Sequence, residues 1–266
     1  MENVKSVSSW EECEELIREL EHTHNVNANK VIFRGQSNAK WLLETTLERL
    51  HKNVKVEKYY RLISRIHHEI EAYNGREWSI PSYEEIHNWS MNYDAFTIQR
   101  LLAYDYLAHL RHHGFPSPLL DWSESPYVAA FFAFSNSVGA DNIAIYVFSE
   151  RPNRVKSGSS DKPQIFTVGH YVKTHRRHFR QQSVYTYCAQ FFPSGSVFVS
   201  HQSVLQKRKS NQDVLWKIMI PASEREKVLR LLDRFNLNAF SLFDSEESLM
   251  KTLAFREIDN KPGTLD

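Results

Sequence analysis

The sequence predicts an α+β fold in a single compact domain, with a helix-rich N-terminal half and a β-rich C-terminal half. Three observations predict it. Apolar residues recur at helical spacing in the first half of the chain, and β-branched and aromatic runs crowd the second. The chain has 266 residues, 41% of them hydrophobic, which is enough to bury a sizeable core without requiring a second domain. We therefore expect one domain over residues 1–266, with its core at about 9–255.

The elements follow in order. Ser9–Leu20 predicts an amphipathic helix: Ser9 is the cap, acidic residues fill the first turn, and Trp10, Cys13, Leu16 and Leu20 share a face. Lys30–Gly35 predicts a short strand running into a turn. Leu42–Leu50 and Val56–Tyr73 read as helices. Residues 76–94, interrupted by Pro81, read as a loop with a helical insert. Asp94–His112 reads as a helix ended by Gly114 in a left-handed cap. Phe115–Trp122 is an extended segment limited by prolines. Ser123–Phe134 reads as a helix capped by Ser123 or Ser125, with Pro126 in its first turn. Asn142–Phe148 reads as a buried strand and residues 151–163 as a mobile loop. Gln164–Val168, Ser183–Ala189, Ser196–Ser200 and Leu215–Ile220 are further strands. Ala222–Phe235 is a last helix before Asn236–Phe243.

Composition excludes several classes. Thirty-three Lys and Arg against 32 Asp and Glu exclude a globally basic nucleic-acid binder, though not a local basic patch. Two cysteines, Cys13 and Cys188, are too few for a disulfide scaffold, so a reducing, cytoplasmic location is expected. The segment MENVKSVSSW lacks an apolar run, so no signal peptide is expected. The longest apolar run, Tyr127–Phe134, falls far short of the roughly 20 residues a membrane span needs, so no membrane partner is expected.

Four segments carry candidate chemistry. Phe33-Arg34-Gly35-Gln36-Ser37 puts a guanidinium at a strand end, beside a glycine that lets a ligand or second backbone approach. The structural alternative is a buried pairing of Arg34 with an Asp. His113-Gly114-Phe115-Pro116-Ser117-Pro118-Leu119-Leu120-Asp121-Trp122-Ser123 delivers polar residues to a helix N-terminus, whose free N–H groups suit an anion. The alternative is that Ser123 caps and Trp122 is core. His109, His112 and His113 share a helix face, but nothing pairs with them in a metal-ligand pattern, and no metal is expected. The stretch His170–Arg180, with Lys173, Arg176, Arg177 and Arg180, and the cluster Lys207–Lys209 could meet phosphates or simply form a solvated face. No G-x-S-x-G elbow, P-loop or G-x-G-x-x-G is present.

Taken together these segments resemble the FRG domain family, named for its Phe-Arg-Gly signature. The resemblance rests on Phe33-Arg34-Gly35-Gln36, Trp41, Thr46-Leu47-Glu48-Arg49, His113-Gly114-Phe115-Pro116-Ser117, Leu119-Leu120-Asp121-Trp122-Ser123, Pro126, Ala129 and Phe132-Ala133. Gln181, Tyr185 and Asn238–Phe243 extend it toward the C-terminus. Two positions depart from the family pattern: Pro118 replaces an arginine and Ser183 a glycine.

The order of these motifs is also similar, at a distance, to the arginine–serine–glutamate class of ADP-ribosyltransferases. That resemblance implies a mixed sheet and an NAD cleft with Arg34, Ser123 and Gln181 as catalytic residues. Arg34 would hold the pyrophosphate or ribose, and Ser123 would position the nicotinamide ribose. Gln181, on a later strand, would bond the ribose 2′-OH. Gly35, Gln36, His113, Asp121, Trp122 and Tyr185 would complete the cofactor site, with Trp122 or Tyr185 stacking on the nicotinamide. A neutral Gln181 stabilises an oxocarbenium less well than a glutamate. This implies slow catalysis, a substitute acid at Asp121 or Glu124, or a site that only binds.

The expected function is therefore an NAD-dependent ADP-ribosyltransferase or NAD glycohydrolase acting as a toxin or antiviral effector. RNA or protein would be the acceptor. The alternatives are a nucleotide- or RNA-binding module without turnover, and a protein-interaction partner.

Overall fold

The computed structural model describes residues 3–24, 30–91, 101–137, 139–150, 162–169, 172, 176–207 and 213–259. Its strands are β1 (Asn3–Ser6), β2 (Ile32–Gln36), β3 (Val54–Lys55), β4 (Leu120–Ser123), β5 (Asn142–Glu150), β6 (Gln164–Val168), β7 (Ser183–Phe192), β8 (Gly195–Phe198) and β9 (Asp213–Pro221). They join in one mixed sheet in the order β1-β9-β5-β2-β4-β7-β8-β3, with β6 pairing β7. β1 runs parallel to β9, and the other pairs are antiparallel.

The helices are α1 (Trp10–His24), α2 (Thr46–Leu50), α3 (Val56–Asn74), α4 (Tyr83–Met91), α5 (Tyr104–His112), α6 (Pro126–Ser135), α7 (Arg177–Arg180), α8 (His201–Lys207), α9 (Arg225–Arg234), α10 (Ala239–Phe243) and α11 (Glu246–Ala254). None of the described helices is long and apolar enough to cross a membrane.

The α+β class and the single mixed sheet are as expected. The helix-rich first half and the β-rich second half are as expected too, with β1, β2, β3 and β4 from the first half entering the same sheet. β1 is exposed along its length, so it carries no apolar alternation by which its sequence could announce it.

β5 shows why the sheet sits at the centre. Ile143, Ile145 and Val147 pack with α1, α6 and α9, while Ala144, Tyr146 and Phe148 pack on the opposite cluster with Leu120 and Trp122. Both faces are covered, so the strand is apolar almost throughout. α3, α4 and α5 close a third cluster over Tyr185, Tyr187 and Phe191 of β7.

Local chemistry sets the boundaries. Ser125 accepts the Val128 amide at 3.4 Å and Pro126 opens α6, so Ser125, not Ser123, is the cap. α5 ends with Gly114 at φ 84° and the Phe115 amide donating to the Leu110 carbonyl at 2.9 Å. α2 starts only at Thr46, capped by Thr45, so residues 42–45 of the expected helix are not helical. α5 starts at Tyr104 because Ala103 takes a left-handed φ of 48°. Leu101–Ala103 therefore leave the expected 94–112 helix, and residues 94–100 lie outside the described residues. Most of the expected 151–163 loop also lies outside them.

Gly35 fixes how α6 lies on β2. A Cβ on Gly35 would sit 1.9 Å from the Ala129 carbonyl oxygen and 2.7 Å from the Ala133 nitrogen. The helix backbone therefore rests directly on the strand, with small residues of α6 at the contact.

Candidate functional site

A seam in the sheet makes the site. β2 is paired with β5 at five positions and β4 with β7 at four, yet β2 and β4 share one register pair, Phe33 with Ser123. A cavity of about 320 Å³ lies along this seam. Of the sequence-predicted site residues, Arg34, Gly35, Gln36, Asp121, Trp122, Ser123, Gln181 and Tyr185 line it. His113 does not. It is exposed at the end of α5 with its ring against His109 at 4.3 Å.

Arg34 bridges the seam. Its Nη1 donates to the Asp121 carbonyl oxygen at 2.6 Å and lies 3.8 Å from the Asp121 carboxylate. The side chain is 14% exposed. Burial lowers its pKa to about 10, with Asp121 opposing the shift and the charges of Arg111 and Arg49 adding to it. It stays cationic at neutral pH. Arg111 closes a second ion pair on the same Asp121 oxygen. The buried pairing of Arg34 with an Asp, weighed from sequence as the structural alternative, is therefore present, and it stands inside the cleft.

The charge balance of the lining is one-sided. Arg34, Arg49, Arg111 and Arg177 supply four guanidiniums, and Asp121 supplies the single carboxylate among the lining residues. His112 adds no charge, because burial, the largest influence, lowers its pKa to about 4. Its Nε2 lies 2.5 Å from the Tyr185 hydroxyl. Burial pushes the Tyr185 pKa well up, so the phenol keeps its proton and donates to the neutral imidazole. Four cations against one anion leave a formal excess of three positive charges in a concave, part-buried site, which suits phosphate oxygens.

Aromatic groups stand beside the cations. Trp41 is 52% exposed and lines the cleft. Phe132 and Phe243 meet edge to face with centroids 5.8 Å apart and also line it. These rings offer flat faces to a base.

Several predicted roles change. Trp122 is buried, with its ring 5.5 Å from Phe148 and its Nε1 donating to Thr186 Oγ1 at 2.9 Å, so the indole is part of the core and cannot stack on a ligand. Gln181 is not on a strand. It caps the end of α7, with its Nε2 donating to the Leu242 carbonyl at 3.2 Å. The Ser123 hydroxyl donates to the Gln181 carbonyl at 2.8 Å and accepts the Ser125 amide at 3.0 Å, tying β4 to α7 and to the start of α6. Gly35 serves the approach of a second backbone, that of α6. Gln36 is 4% exposed and its Nε2 donates to the Leu42 carbonyl at 3.1 Å. Glu124, a candidate substitute acid, lies outside the cleft lining and pairs with Lys30 at 3.1 Å.

Trp122 opens a buried polar chain. Thr186 Oγ1 lies 3.1 Å from His201 Nε2, and His201 Nδ1 lies 2.6 Å from Glu48 Oε1. The indole N–H donates to Thr186 Oγ1, and the Nδ1 side of the ring faces the carboxylate. This chain connects β4 to α2, the helix that carries Arg49.

The basic stretch resolves in part. Residues 170, 171 and 173–175 and the segment 208–212 lie outside the described residues. Arg177 reaches the cleft, its Nε donating to the Phe243 carbonyl at 3.0 Å. Arg180 binds Asp244 at 2.8 Å, and His178 is buried and stacked on Tyr185. Arg177 and Arg180 are thus docked on α10 and Asp244, while Arg176 is exposed. Arg111 had no local sequence signal for a site, and Phe132 and Phe243 stood only in the motifs of the family resemblance, with no role assigned to them. They reach it through tertiary packing.

Residues 29–142 match the family model of the FRG domain. That segment holds β2, α2, β4 and α6, the elements on either side of the seam. No curated protein and no solved structure matches the chain.

Proposed function

This chain is an FRG domain-containing protein, and from that premise we propose that its seam cleft binds the phosphates of a nucleotide of the NAD type. The observation that carries the reading is the set of four guanidiniums around one carboxylate. Arginine forks bind phosphate oxygens in pairs, and a part-buried site strengthens each contact. Trp41 and Phe132 supply the stacking faces a base would use.

Cleavage of NAD, by hydrolysis or ADP-ribosyl transfer, is the second reading. It is favoured by one fact, that Arg34, Ser123 and Gln181 line a single cleft. The developing oxocarbenium needs negative charge, and Asp121 is the carboxylate in the lining. Two guanidiniums already offset its charge. The arrangement therefore favours holding an anion over stabilising a cation, and any turnover would be slow. A toxin or antiviral role would rest on that turnover.

The test is calorimetric titration of ADP and NAD into wild type and Arg49→Ala, with nicotinamide release followed in parallel. Arg49 is exposed and lines the cleft, so its loss leaves the core alone. Binding that falls about tenfold in the variant and weakens with salt supports the cleft reading. Salt-insensitive binding that ignores the substitution opposes it. Nicotinamide release by wild type would add the enzymatic reading.

A further inference from the structure

A second cavity, of about 590 Å³, lies behind the cleft, between α6, α9, α10 and α11. The two share Phe132, Arg177 and Phe243. These three residues make one partition, because the rings of Phe132 and Phe243 touch edge to face and the Arg177 guanidinium lies 5.5 Å from the Phe243 ring centre.

The two chambers differ in chemistry. The second is walled by Phe131, Leu229, Leu237 and Phe255, with charges that balance: Arg177, Arg225 and Lys251 against Asp233, Glu247 and Asp259. Its acids are engaged. Asp233 pairs with Arg256 at 2.8 Å, Glu247 with Lys251 at 2.6 Å, and Asp259 with Arg225 at 3.8 Å. The cleft therefore attracts phosphate, while this chamber offers neutral, aromatic-lined space.

Size points the same way. Small-molecule sites span about 300–1,000 Å³, and the cleft alone is at the lower end of that range, near what one nucleotide fills. A ligand with two nucleoside arms needs more room, and the adjoining chamber has it.

We propose that the second cavity is the binding site for the second nucleoside arm of a dinucleotide whose pyrophosphate lies in the arginine cleft. The inference rests on the cleft reading above and extends it to the whole ligand. The partition rings would stack on the base, and Arg177 would stand at the junction between the phosphates and that arm.

The experiment compares ADP with NAD by calorimetry in wild type, Ala254→Trp and Asn136→Trp. Both substituted residues are exposed, line the second cavity and lie outside the cleft lining, so the substitutions narrow one chamber only. Wild type should bind NAD about tenfold or more tighter than ADP, the usual gain from one stacked base. Both variants should lose that margin and keep the wild-type affinity for ADP. Equal affinity for ADP and NAD in wild type, or an undiminished margin in both variants, overturns this inference and leaves the cleft reading intact. Failure of wild type to bind either nucleotide overturns both.

Discussion

Gly35 and the Ala129 carbonyl are in such close contact that a single added methyl group would stand 1.9 Å from the oxygen. Neither partner can yield locally, since one is a strand backbone and the other a helix backbone. The last residue of the Phe-Arg-Gly signature thus sets a packing constraint beside the charge of Arg34.

Gly35→Ala should destabilise the protein by about 3 kcal/mol or more, as overpacking against backbone does. The shift of the urea unfolding midpoint measures it. A variant with wild-type stability would mean that α6 can lift from β2, and the account of this glycine would be lost.

Arg34 and Arg49 should separate cleanly. Arg34→Ala removes a part-buried guanidinium that serves the Asp121 carbonyl and carboxylate, so it should cost about 2–3 kcal/mol. Arg49→Ala, at an exposed position, should change stability by less than about 0.5 kcal/mol. Denaturant curves for both variants decide the matter. Equal stability of the two would contradict the bridging role of Arg34.

His112 sets a pH dependence. Its folded pKa of about 4 lies below the ordinary 6.5, so the unfolded chain takes up this proton first as pH falls. Stability is unaffected above pH 6.5 and declines from there toward pH 4, by at most about 1.4 kcal/mol per pH unit. Unfolding at pH 7 and pH 5 should show a smaller loss for His112→Asn than for wild type. An identical loss in both would mean that His112 is protonated in the folded protein.

The chain from Trp122 to Glu48 should be sensitive at its middle. His201→Ala strips Thr186 and Glu48 of a buried partner and should cost about 2–3 kcal/mol. The indole N–H resonance of Trp122 should move as well, because its acceptor Thr186 loses its own partner. An unmoved resonance would show that the groups are packed together but not coupled.

Much of this architecture could be read from the chain. Ser9 with Glu11 and Glu12, Ser125 with Pro126, and Gly114 after His112 are local signals, and each ends or begins a helix where such residues do. The apolar run of β5 announced a strand covered on both faces. The cleft was legible where its residues cluster in sequence, at Arg34–Gln36 and Asp121–Ser123. It was illegible where the fold assembles it. Arg111 comes from a helix end and Phe243 from a short capped turn, and neither position has periodicity or spacing that points to the seam. For Trp122 the resemblance implied a ring stacked on the nicotinamide, and the alternative reading, a core residue, is the one the burial supports. Strand alternation turned its indole into the core, where Thr186 holds it.

The strand order has a consequence for what counts as a unit. The FRG match ends at residue 142, where β5 begins, and β7 lies wholly beyond it. Yet β2 takes most of its ladder from β5, and β4 takes most of its ladder from β7. A chain cut to residues 29–142 would carry the signature residues on two strands with bare outer edges, open to mispairing and aggregation. The matched segment is therefore narrower than the hydrogen-bonded one. Swapping it between proteins would require moving the flanking strands with it.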